Sequence, residues 1–104
     1  MLDIKNEIAK ITDPKNTEHV FLESDKEELL EFEQVAFIPM ENRAFVILAP
    51  IKGNPYYYED NPVAFTFEMN LKENTIQIVR DITTIEMVEK EYHKILYGNK
   101  KIGF

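Results

Sequence analysis

The chain has 104 residues, no cysteine and a formal net charge of −7. One domain of this length buries a core unaided. The absence of cysteine excludes disulfides, thiolate metal sites and cysteine nucleophiles, and a hydrophobic share of 44% excludes wholesale disorder. The charge is uneven. Between Glu18 and Glu41 there are eight acids against the single base Lys26, whereas no acid follows Glu91 and Lys94, Lys100 and Lys101 make the end basic. Nucleic-acid affinity rests on clustered Lys and Arg, so a nucleic-acid partner is not expected.

Met1 to Glu7 interrupts its apolar residues with charges, unlike a secretory leader. The longest near-apolar run, Ala44 to Ile51, falls far short of the roughly 20 residues of a membrane helix. A cytoplasmic protein with no membrane association is the expectation.

Ile4, Ile8 and Ile11 recur at helical spacing behind Asp3, a capping residue, and predict a short N-terminal helix over 1–11. Pro14 forces a break, since the residue before proline is pushed out of the helical region. A meander of about five antiparallel strands then fills 18–80. The first strand is expected from His19 to Leu22 and the second from Phe32 to Met40, with a polar, glycine-free turn between them. In the second strand Val35 and Phe37 share one face, Ala36 and Ile38 the other, and Pro39 suggests an edge or a bulge. A tight hairpin at Met40–Arg43, with Asn42 suited to a positive φ, leads into Ala44–Ala49, apolar on both faces as a doubly covered central strand should be. Glycine, prolines and asparagines make Lys52 to Pro62 a loop. Val63 to Met69 alternates cleanly, and Thr75 to Val79 supplies the last strand.

The closing helix is predicted over 83–97. Thr83 as N-cap and Glu86 form a capping box, Ile82 and Met87 a hydrophobic staple, and Glu86–Lys90 an i,i+4 pair. Ile85, Val88, Tyr92, Ile95 and Leu96 make the buried stripe, Gly98 ends the helix, and 98–104 is a basic tail. The fold class is therefore α+β: an antiparallel β-meander covered by a C-terminal amphipathic helix, with a short N-terminal helix.

Thr12-Asp13-Pro14, the segment Phe32 to Pro39, Val46 to Ile51, Val63-Ala64-Phe65 and the helical set Val88, Tyr92, Ile95, Leu96 together resemble the YrzB-like bacterial proteins, domain of unknown function 1292. The likeness spans about residues 11 to 97. It implies a small cytoplasmic protein of Gram-positive type without an established activity, and brings no catalytic or ligand residues with it. The family's loop before the fourth strand is usually acidic. Here that loop carries Tyr56, Tyr57 and Tyr58.

Catalytic chemistry finds little footing. Ser24 is the sole serine, and it lies in an acidic turn with only His19 conceivable as its base. His19 and His93 are too far apart in sequence for a short-spaced zinc motif. Glu89, one turn before His93, is placed to pair with it. The acidic turn does not match a calcium loop, and three glycines in total supply no phosphate cradle. No catalytic residue, cofactor or metal site is expected.

The tyrosine run is the strongest candidate. Tyrosine joins a broad apolar face to a polar tip at low conformational cost, and is enriched where proteins bind one another. These rings either recognise a partner or fold back over an open end of the sheet. With the acidic residues Glu27, Glu28 and Glu31 they make the candidate partner-binding set for a non-enzymatic protein-interaction or regulatory module, with homodimerisation through a sheet edge or the basic tail also open. The alternative is a small-ligand-binding domain with a cavity between helix and sheet lined by Phe45, Ile47 and Phe65.

Overall fold

The structure is a computed structural model and describes residues 2–98. Helix α1 (Ile4–Thr12) is followed by strands β1 (Val20–Glu23), β2 (Leu29–Pro39), β3 (Ala44–Pro50), β4 (Phe65–Asn70) and β5 (Thr75–Ile78), then by helix α2 (Ile82–Gly98). The strands form one sheet in sequential order, antiparallel throughout. This is the α+β meander that the alternation of apolar residues predicts.

Each face of the sheet has its own core. Val20, Leu22, Leu30, Phe32, Ala44, Val46, Leu48, Phe67 and Met69 line one face and pack with Ile8 and Ile11 of α1. Phe45, Ile47 and Ile38 line the other, under Val88 of α2. Strand β3 feeds both, and for that reason it is apolar along its whole length. The rings of Phe32 and Phe67 meet edge to face at 5.8 Å across the strand between them.

Turn chemistry differs from the expectation at several points. The glycine-free β1–β2 turn closes with Glu27 at φ 62, and Ser24 N–H donates to the Glu28 carbonyl at 2.9 Å. Asn42 keeps a negative φ; the positive φ falls on Asn74 in the β4–β5 turn instead, where Asn70 Oδ1 accepts from the amides of Lys72 and Glu73. The irregularity of β2 lies between Gln34 and Ala36, not at Pro39. Val35 is the extra residue of that bulge and stands 41% exposed.

The start of α2 also corrects the sequence reading. Asp81, not Thr83, is the capping residue: its Oδ2 accepts from Thr84 N at 3.1 Å and Thr84 Oγ1 at 2.6 Å, and its carbonyl accepts from Ile85 N. Ile82 is 70% exposed and staples nothing. An aspartate two residues upstream of the expected cap takes the role because the chain turns into the helix directly after β5. Further along, Val88 is fully buried and Met87 and Tyr92 pack beside it, but Ile95 and Leu96 emerge into solvent. The helix thus covers the sheet with its first half only. Its ion pair among the described residues is Glu91–Lys94 at 3.8 Å, in place of the expected Glu86–Lys90. The tail beyond Gly98 lies outside the described residues.

Candidate functional site

Helix α1 is tied to one edge of the sheet. Ser24 pairs with Glu28 toward β2, so by alternation the backbone groups of His19 and Phe21 point away from β2. One group of each is taken up by α1: Phe21 N–H donates to Glu7 Oε1 at 2.8 Å, and Lys10 Nζ donates to the His19 carbonyl at 3.2 Å. Glu7 is 5% exposed and also holds Lys10 at 3.2 Å. A glutamate on the inner side of an amphipathic helix breaks the apolar pattern, and that was the available signal for this clasp.

Because α1 lies along β1 and β2, it leaves the rest of its face open. A groove of about 740 Å³ runs from Leu22 and Leu30 past Phe65 and Phe67 to Ile76 and Ile78. It is an open trough, with Ser24 and Asp25 of the β1–β2 turn on one rim, and Tyr56 and Arg80 also along it.

Of the tyrosines, Tyr56 turns back to this groove and meets Phe65 edge to face at 6.2 Å. It remains 48% exposed, and Tyr58 60% exposed, while Tyr57 is half-buried. The loop is pinned by Asn54, which is almost fully buried. Its Nδ2 donates to the Glu31 carbonyl at 2.8 Å and its Oδ1 accepts from Tyr56 N at 2.9 Å. Gly53, at φ 102, makes the bend that brings Asn54 inward. Sequence reasoning read this asparagine only as loop composition.

The acidic candidates divide. Glu27 and Glu28 are exposed in the turn whose Asp25 lines the groove. Glu31 alternates with groove residues Leu30 and Phe32, so its side chain takes the opposite face; there it meets His19 Nδ1 at 2.6 Å. The structure therefore gathers Tyr56 with the β1–β2 turn and sets the Glu31 carboxylate apart. The expected ligand cavity of Phe45, Ile47 and Phe65 does not form, because Phe45 and Ile47 are packed under α2 while Phe65 opens onto the groove on the other side.

Among the described residues no nucleophile is joined to a base. Ser24 Oγ accepts from the amides of Lys26 and Glu28, and His19 is held by Glu31. His93 lies between the rings of Tyr92 and Tyr97, at 5.9 Å from each, and not on Glu89. Among the described residues no three His, Asp or Glu converge as metal ligands, and no helix is long and apolar enough to cross a membrane.

The perturbed titrating groups lie elsewhere, across the start of β3 and the entry to α2. Arg43 grips Glu68 through two hydrogen bonds of 2.9 Å and lies 4.9 Å over the Phe45 ring. This bond holds the Glu68 carboxyl below the usual range and raises Arg43. The hydrogen bonds from Thr84 lower Asp81 in the same way. These are structural ties, with no empty acceptor aimed at a substrate.

No family model, curated protein or solved structure matches the chain.

Proposed function

We propose that this is a cytoplasmic, non-enzymatic protein-interaction module, in keeping with the YrzB-like resemblance, and that it binds through the groove between α1 and the open part of the sheet. The observation that carries this reading is the coincidence of three features in one trough: an apolar floor whose Phe65, Ile76 and Ile78 stay partly exposed, a half-exposed Tyr56 on a pinned loop, and an acidic rim at Asp25 continued by Glu27 and Glu28. The apolar floor supplies the affinity, and Tyr56 is a ready hot-spot side chain because Asn54 has already ordered its backbone. The acidic turn selects a partner segment with an apolar face and basic flanks, and rim charges of this kind act mainly on the rate of association.

Capture from the source lysate with wild type, Tyr56→Ser and Asp25→Lys tests the proposal. One protein retained by wild type and lost from both variants, each with unchanged thermal unfolding, is the expected result. Equal retention by all three refutes it. A thermal shift produced by a small apolar metabolite and abolished in Tyr56→Ser would instead place a ligand in the same groove.

A further inference from the structure

The two edges of the sheet are treated differently. At the β1 edge, Glu7 takes the Phe21 N–H and Lys10 the carbonyl of His19 just before the strand, whereas β5 is the terminal strand at the other end and pairs with β4 alone. Val79 N–H donates to the Thr66 carbonyl at 2.9 Å, which sets the phase of that ladder. Thr75 and Gln77 bond inward to β4, so Ile76 and Ile78 turn their N–H and C=O groups outward. The strand Thr75–Ile78 is short, at four residues, but it has no lysine, no proline and no bulge to blunt its edge.

We infer that β5 pairs antiparallel with β5 of a second copy of this chain, about a two-fold axis at Gln77. The register follows from the residues. A two-fold perpendicular to the sheet pairs residues on the same face, so Ile76 meets an Ile or an even-numbered neighbour. With Gln77 on the axis, Ile76 of each copy lies opposite Ile78 of the other, and the two exchange both backbone hydrogen bonds. Moving the axis to Ile76 sets Ile78 against Asn74, and moving it to Ile78 sets Ile76 against Arg80; each keeps one Ile–Ile self-pair where the Gln77 axis makes two Ile–Ile pairs. Charge supports the same register. Arg80 is exposed and has no ion pair among the described residues. The pairing brings it opposite Asn74 of the second copy, beside that copy's exposed Glu73. Ile76 and Ile78 also wall the groove, so the joined strands run the two grooves into one continuous trough.

The natural absence of cysteine makes the test clean. Gln77 is exposed, and a non-hydrogen-bonded antiparallel pair sets its Cα atoms about 4.5 Å apart, within disulfide reach. Under mild oxidation Gln77→Cys is expected to form a disulfide-linked dimer, and Thr75→Cys at least about tenfold more slowly because it faces residue 79 of the second copy. Sedimentation equilibrium of wild type should rise with concentration from the 12.3 kDa monomer toward twice that mass. Arg80→Glu should raise the dissociation constant about tenfold, and adding Glu73→Arg to it should restore the wild-type value. Monomer mass up to about 1 mM, equal cross-linking of the two cysteine variants, or a charge swap that fails to restore association would each overturn the inference.

Discussion

Replacing Glu7 by alanine probes the clasp between α1 and β1. The Glu7 carboxylate is 5% exposed and accepts from Phe21 N–H at 2.8 Å and from Lys10 Nζ at 3.2 Å. A hydrogen bond to a charged acceptor contributes about 1.5–3 kcal/mol, and Glu7→Ala leaves the Phe21 amide without it. The Lys10 contact, partly exposed, adds only about 0.3–0.5 kcal/mol. Alanine returns a few tenths through its helix propensity. The expected net loss is about 2 kcal/mol, or roughly 8–16 °C in Tm for a domain of this size. Glu7→Gln keeps an uncharged acceptor and should lose about half as much. Urea unfolding measures the loss, and hydrogen exchange at the Phe21 amide locates it. A loss below about 0.5 kcal/mol, or an unchanged Phe21 exchange rate, would refute the reasoning, because either means the bond does not bear on stability. The same substitution bares the β1 edge, so Glu7→Ala should also aggregate sooner than Glu7→Gln at equal unfolded fraction.

Further predictions concern the caps, the turns and acid. Asp81→Ala should lower Tm and loosen the first turn of α2, whereas Thr83→Ala should leave both unchanged, as thermal unfolding followed by circular dichroism will show. Glu27→Gly should stabilise by about 0.5 kcal/mol, the relief of a left-handed side-chain residue exceeding the added freedom of glycine in the unfolded chain; Asn74→Gly should be near neutral. Because Arg43 lowers the Glu68 carboxyl in the folded state, the native chain binds fewer protons there than the unfolded chain. The stability from this pair is present above the ordinary carboxylate range and is lost as pH falls through the lowered native value. Wild type should therefore lose more stability than Glu68→Gln over that interval, by a few tenths of a kcal/mol given the exposure of the pair, measured by urea unfolding at stepped pH.

The order of elements was legible because it rests on local patterns. Alternation in Phe65–Met69, the doubly apolar Ala44–Pro50 and the helical recurrence of Ile4, Ile8 and Ile11 each report a burial geometry that follows from strand or helix period alone. The helix cap was misread by two residues because Thr83 and Asp81 both satisfy the capping pattern, and the choice depends on where β5 releases the chain. The candidate site was only half legible. The tyrosines announced themselves by composition, but Asn54, which orders their loop, looked like an ordinary turn residue until its buried bond to the Glu31 carbonyl was seen.

By itself, then, the sequence determined the α+β meander, the apolar central strand and the absence of cysteine chemistry, since these follow from residue type and short-range period. The tertiary structure decided which face each helix covers and how far. That α1 stops over β2 while α2 leaves Ile95 and Leu96 in solvent depends on packing between elements distant in sequence. The open groove, the clasped β1 edge and the bare β5 edge are consequences of that packing, because an uncovered surface is defined by what fails to reach it.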